Sequence, residues 1–213
     1  VLDGGLFPGN AAAVAVTGPY KFLVLTLALA RLGVVCVPDS MPGDSIDFRF
    51  TEDAAAAGQG KRTVVVDRTW WDSPPSSVSL QPVPSFQDDA AVFRVFPSSG
   101  TTGTPKFVAV SHAMIADRIF AKWLGVRLPD DARQICFVGA GTHYGFGALL
   151  RVLWVGGTLV MPVKLEQIVP FIQRYRVNAL VIAPISLQGV VASLPPGFVP
   201  IPSLEAIEVA GSP

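Results

Sequence analysis

The sequence predicts an α/β fold built on parallel sheets. Two observations carry this. The strand-like segments are continuous apolar runs, as in Val34-Val35-Cys36-Val37 and Ala179-Leu180-Val181-Ile182, not alternating ones. They also take turns with longer helix-like segments, the pattern of strands covered by helices on both faces. Composition agrees. Half of the 213 residues are apolar and only 15% are charged, so there is ample material for a core and little for a free surface.

In chain order, Ala11 to Val16 reads as a buried strand. Pro19 to Leu32 reads as a helix apolar nearly all round, hence packed on several sides. Val34–Val37 and Thr63–Val66 are two further strands. Between Ser73 and Asp89 the composition shifts to Pro, Ser and Gln, a surface connector. The expected organisation is therefore a first α/β subdomain over 1–72, a connector over 73–89 and a second α/β subdomain over 90–213. In the second, strand-like segments at Ala90–Phe96 and Phe107–Val110 flank a polar loop. Ser111 is a candidate N-cap for a helix from His112 to about Leu124. Strands follow at Ile135–Val138, Thr158–Met161, Ala179–Ala183 and Ile207–Ala210. Helices lie between them at Gly145–Leu153, Leu165–Tyr175 and Ile185–Leu194. Arg174 and Arg176 close the middle helix, where cations are favourable.

The polar loop is the most informative stretch. Ser98-Ser99-Gly100-Thr101-Thr102-Gly103-Thr104-Pro105-Lys106 packs five hydroxyls, two glycines and one lysine into nine residues. Glycines bring backbone N–H groups close to an anion, hydroxyls add short-range donors, and lysine adds a point charge for phosphate oxygens. The alternative is a solvated Ser/Thr/Gly hairpin loop. A Walker A loop is disfavoured: Pro105 stands where its second glycine belongs, and Phe107 stands where Ser or Thr would hold magnesium.

Other features narrow the choice. Lys+Arg and Asp+Glu balance at 16 each, which gives no basic excess for nucleic-acid binding. Cys36 and Cys136 sit in apolar runs and read as reduced core thiols, and two histidines without paired cysteines do not make a zinc site. The Phe22–Pro38 run is too short and too punctuated to span a membrane. No signal-peptide pattern precedes it, so a cytoplasmic location is expected. Gly139, Gly141 and Gly145 miss the dinucleotide spacing by one residue. His143, followed by Tyr144-Gly145-Phe146-Gly147, lies just past a strand, where open α/β sheets place ligands. It reads either as a substrate pocket or as a helix start with a partly buried histidine. Glu205 and Glu208 read as solvated strand-edge charges, and Trp70-Trp71 as a packing patch.

The loop resembles the signature of the adenylate-forming (AMP-binding) superfamily, which includes acyl-CoA synthetases and peptide-synthetase adenylation domains. Weaker likenesses follow in the family's order: Phe7-Pro8-Gly9-Asn10 to Val16, Phe22 to Pro38, Val110-Ser111-His112, His143 to Gly147, Trp154 to Pro162, and Leu204 to Pro213. The stretch between Pro38 and Val64 is shorter and less regular than in the family. Its later Tyr-Gly-x-Thr-Glu and Thr-Gly-Asp motifs are missing, as is the lysine-bearing C-terminal domain. With Val1 in place of methionine, this leads to the expectation of a fragment, inactive alone.

The resemblance implies two flavodoxin-like parallel-sheet units of the family's N-terminal domain, truncated. It implies an AMP-forming ligase: a carboxylate attacks ATP to give acyl-adenylate and pyrophosphate, and a thiol of CoA or carrier-protein pantetheine takes the acyl group. Ser98, Ser99, Gly100, Thr101, Thr102, Gly103, Thr104 and Lys106 would hold ATP phosphates. His143, Tyr144, Gly145 and Gly211 would line the acid's pocket, and Mg2+ would find its ligands mainly beyond residue 213. No covalent nucleophile is required. The rival reading is a non-catalytic nucleotide-binding or partner-docking module.

Overall fold

A computed structural model describes residues 5–56, 62–72, 88–98, 106–125 and 127–211. The chain forms two compact units, Val1–Met114 and Ile115–Pro213.

The first unit is built on β1 (Ala11–Ala15), α1 (Pro19–Arg31), β2 (Val35–Val37), β3 (Phe48–Thr51), β4 (Arg62–Val65), the short α2 (Arg68–Asp72), β5 (Val92–Ser98) and β6 (Lys106–Ser111). Its sheet runs in the order β4-β3-β1-β2-β5-β6. Every pairing is parallel except β5 with β6. In β1 the run Ala12-Ala13-Val14 is buried on both faces, which is why it shows no alternation. Ala12 and Val14 join Leu25 and Leu29 of α1 on one side, while Ala13 meets Val37, Ile46 and Val95 on the other. Trp71 packs at the edge of the first cluster, as a packing patch requires.

The domain boundary departs from the sequence expectation. The segment after the connector does not open the second unit. Cys36 of β2 pairs with Arg94 of β5, and β5 pairs with β6 from Val92↔Ser111 to Ser98↔Lys106. Sheet hydrogen bonds thus carry residues 92–111 into the first unit, whatever the composition shift before them suggests. Two smaller differences have local causes. Strand β3 is the four-residue Phe48-Arg49-Phe50-Thr51, whose polar Arg49 and Thr51 hide it from a search for apolar runs. The Leu165–Tyr175 helix begins as a 3-10 turn over Leu165–Gln167 before the α-helix proper, Ile168–Tyr175.

Glu52, just after β3, ties the sheet to the start of α1. It accepts from Lys21 Nζ at 2.6 Å, Thr17 Oγ1 at 2.5 Å and the Thr17 N–H at 3.0 Å. The Lys21 and Thr17 donors pull its carboxyl down to about 2 from 4.5. A depressed carboxyl favours the folded state above its unfolded pKa. That contribution is lost as pH falls from about 4.5 towards 2. Glu52→Gln is therefore expected to flatten the acid limb of a Tm-against-pH curve in that window; an unchanged limb would contradict it.

The second unit holds all but the first turn of α3 (His112–Gly125), then β7 (Arg133–Cys136), α4 (His143–Trp154), β8 (Thr158–Val160), α5 (Ile168–Tyr175), β9 (Ala179–Ile182), α6 (Pro184–Ala192) and β10 (Ala206–Val209). Ser111 Oγ accepts from the Met114 N–H at 3.2 Å and so caps α3. The second sheet is wholly parallel, in the order β10-β9-β7-β8. Ile135, Leu180 and Ile182 face α5 and α6, where they pack with Ile168, Ile172 and Val190. The period-two rule sends Gln134 and Cys136 to the opposite face. That face is covered by α4: Gln134 Nε2 donates to the Ala148 carbonyl at 3.3 Å. Gly156, at φ 73°, closes α4 with paired bonds from Gly156 N to Leu153 O and Gly157 N to Val152 O. This left-handed closure turns the chain sharply into β8.

Candidate functional site

The polar loop hangs from the β5–β6 hairpin. Its ends are described; Ser99, Gly100, Thr101, Thr102, Gly103, Thr104 and Pro105 lie outside the described residues. Ser98 and Lys106 are cross-strand partners, and Ser98 Oγ donates to the Lys106 carbonyl at 3.3 Å. An antiparallel ladder on a sheet already packed by Phe93 and Phe96 makes a rigid base for the loop. Lys106 is exposed, and among the described residues no carboxylate pairs with it. An exposed ammonium next in sequence to a hydroxyl- and glycine-rich stretch suits an anion such as polyphosphate. Magnesium finds no ligand set: among the described residues no group of three His, Cys, Asp or Glu could hold a metal.

In the second unit, β7 leads through α4 to β8 on one side, and β9 leads through α6 to β10 on the other. Loops that leave adjacent strands in opposite directions open a crevice at their carboxyl ends, the usual ligand position in such sheets. His143 and Tyr144 stand there as the first two residues of α4, both half-buried. Thr142 caps the helix; its Oγ1 accepts from the Gly145 N–H at 3.0 Å and donates to the Gly139 carbonyl at 2.8 Å. Gly145 has a packing role, since a Cβ there would stand 2.5 Å from the Gly139 oxygen and 2.6 Å from the Val138 oxygen. Gly211, exposed and at φ 111°, follows β10.

Glu208 of β10 corrects the sequence reading. It is not a solvated edge charge. Its carboxylate accepts from Arg151 Nη2 at 2.8 Å, Lys122 Nζ at 3.2 Å and the Tyr144 hydroxyl. Register explains the meeting: Glu208 is level with Val181, and Val181 with Cys136, so Glu208 points to the face that α4 covers. Arg151 is 1% exposed, and its Nη2 also reaches Gln134 Oε1 at 3.4 Å. Lys122 Nζ sits 3.4 Å from the Tyr144 ring centroid, a cation–π contact. Burial pushes the Lys122 ammonium below its usual range, against the pull of Glu208. Burial also pushes the Cys136 thiol up to about 11, so it is not a nucleophile at neutral pH. The sequence did carry a signal for this cluster: a lone arginine inside Gly147-Ala148-Leu149-Leu150-Arg151-Val152-Leu153-Trp154 and a lone acid inside Ala206-Ile207-Glu208-Val209-Ala210. Single opposite charges in two apolar segments of one unit point to a buried pair.

The pattern of the family described as AMP-binding enzyme matches residues 44–213. The chain is 27% identical to the nonribosomal peptide synthetase GRA1 of Gibberella zeae over 98% of its length, which is 3% of that protein. It is 26% identical to novobiocin biosynthesis protein H of Streptomyces niveus, over 76% of this chain and 30% of the other. Among solved structures, O-succinylbenzoate coenzyme A synthetase from Bacillus subtilis, in complex with ATP and magnesium, superposes on the whole chain with TM-score 0.83 and 17% identity, through 46% of its own length. The N-terminal domain of FACL13 from Mycobacterium tuberculosis does so at TM-score 0.79 and 16% identity, through 59% of its length. The chain belongs to the AMP-binding, adenylate-forming enzyme family. It spans a small part of the peptide synthetases and about half of the structural neighbours. Among the described residues no helix is long and apolar enough to cross a membrane.

Proposed function

We propose that this chain supplies the nucleotide-phosphate loop and part of the acid-binding surface of a ligase that activates a carboxylic acid as its adenylate, at the expense of ATP. The observation that carries the reading is the β5–β6 hairpin, which pairs Ser98 with Lys106 and leaves the exposed Lys106 ammonium without a carboxylate partner among the described residues. The loop's hydroxyls and N–H groups, with Lys106, would hold the β- and γ-phosphates. They would also stabilise the charge that develops as pyrophosphate leaves. Magnesium would shield the same phosphates. His143, Tyr144 and Gly211 would border the acid, and a cytoplasmic setting, where ATP and thiol acceptors abound, suits the chemistry. The peptide-synthetase relatives favour a carrier-protein thiol as acceptor, and the coenzyme A synthetase neighbours favour CoA. The activity belongs to the natural protein that carries this chain; the 213 residues alone are expected to form no adenylate.

Lys106→Ala in that protein is expected to slow acid-dependent ATP–pyrophosphate exchange about 10²-fold, the usual cost of one preorganised charge-stabilising donor. Melting temperature should not move, because Lys106 is exposed. Undiminished exchange would remove the loop from the reaction. Failure of every acid tested to drive exchange in the unaltered protein would favour the non-catalytic module.

A further inference from the structure

We infer that the second unit reads a second negative charge on the acid it binds: the Arg118–Lys122–Arg151 cluster selects dicarboxylic acids over acids that end in a neutral chain. The inference deepens the proposed function and rests on it for the identity of the ligand as an acid.

The charges do not balance. Arg118 and Lys122 are one turn apart on α3 and face α4, where a Cβ placed on Gly147 would lie 3.6 Å from Arg118 Nε. Arg151 is one turn further along α4 from Gly147. Lys122 and Arg151 both bond Glu208, and among the described residues no other carboxylate forms an ion pair with either. Arg118 and Arg151 each depress the Lys122 ammonium, so all three share one field. Donors are also left over. Arg151 Nε, Arg151 Nη1 and Arg118 Nε are buried without a hydrogen-bond partner among the described residues, and Arg151 is 99% buried as a residue, being 1% exposed. Unmet guanidinium donors are costly, and a carboxylate is their natural complement.

Two alternatives are weaker. Glu208 is a poor reader of a substrate amine, because three donors, two of them cationic, already take most of its acceptor capacity and offset its charge. A long alkyl chain laid against the cluster would strip water from these cations and return no bond. Solvent does reach the group: the Lys122 and Glu208 side chains keep 18% and 22% exposure, beside Tyr144 at the carboxyl end of the sheet. An acid whose first carboxylate lies towards the crevice would place its second against Arg118 and Lys122.

The test is binding without nucleotide, so that it stands apart from pyrophosphate exchange. Melting temperature is followed on the full chain with millimolar succinate, glutarate and adipate against butyrate, pentanoate and hexanoate, at constant ionic strength, with sulfate as control. At least one diacid should raise Tm while its neutral-tailed partner does not. Lys122→Met and Arg118→Gln should each weaken the diacid about tenfold or more, the worth of one charge-assisted bond. Glu208→Gln should strengthen it, because the internal competitor is gone; a purely structural role for Glu208 predicts the opposite sign. Equal shifts within each acid pair, no shift with any diacid, or an equal shift with sulfate (an adventitious anion site only) would overturn the inference. Exchange driven by neutral-tailed acids alone would overturn it and leave the proposed function standing. Diacid binding without any exchange would do the reverse.

Discussion

Gly145→Ala is expected to destabilise the chain by about 3 kcal/mol, while Gly147→Ala, two residues on, should be neutral or slightly stabilising. Both glycines are buried in the first turns of α4, so burial alone predicts no difference. The surroundings do. The new methyl at 145 would stand 2.5 Å and 2.6 Å from two carbonyl oxygens of the β7–α4 loop, and backbone atoms there have no rotamer with which to yield. Relief requires α4 to lift from the loop. That also stretches the bond from the Gly145 N–H to Thr142 Oγ1, a cap worth about 1 kcal/mol. The new methyl at 147 meets only the flexible Arg118 side chain, at 3.6 Å, an ordinary contact. Alanine there also gains about 0.5–1 kcal/mol over glycine in a helix interior. Denaturant titration of the two variants decides it. A Gly145→Ala loss below that of Gly147→Ala would show that the loop, and with it His143, is not held by this contact.

The parallel α/β architecture was legible because both-face burial leaves a plain mark: strands such as Ala179–Ile182 are apolar throughout. Helix ends were legible where Gly, Pro or Ser signals them, as at Pro19 and Ser111. What stayed hidden depends on partners distant in sequence. Assignment of β5 and β6 to the first sheet rests on the ladder with β2, more than fifty residues upstream of Arg94 as the Cys36↔Arg94 pairing shows, and no local pattern encodes it. The reading of Glu208 failed for a related reason. A charge in a short strand is solvated or buried according to which face is covered, and only the register through Val181 to Cys136 puts it under α4. The loop could be singled out as a candidate from its own composition. The Arg151–Glu208 pair was readable only as two lone charges, each without a named partner.

That pair should behave as a unit. Arg151→Met is expected to cost about 2–4 kcal/mol, because it leaves Glu208 short of its most buried partner. The loss falls below that of a fully buried pair, since Glu208 keeps Lys122 and Tyr144 and is 22% exposed. Glu208→Gln should cost less, about 1–2 kcal/mol: the amide oxygen still accepts from Tyr144, but Arg151 and Lys122 lose their counter-charge. In the double variant the second change removes a charge that the first has already orphaned. Its cost should therefore fall short of the sum of the singles by at least about 1 kcal/mol. Methionine matches the arginine stem in bulk, so lost packing contributes little to the comparison. Strict additivity in a double-mutant cycle would mean that the 2.8 Å contact contributes nothing of its own, and that Arg151 is held by its apolar surroundings instead. A coupling of the predicted size would show that Arg151 and Glu208 are held to each other by their own contact and act as one electrostatic unit.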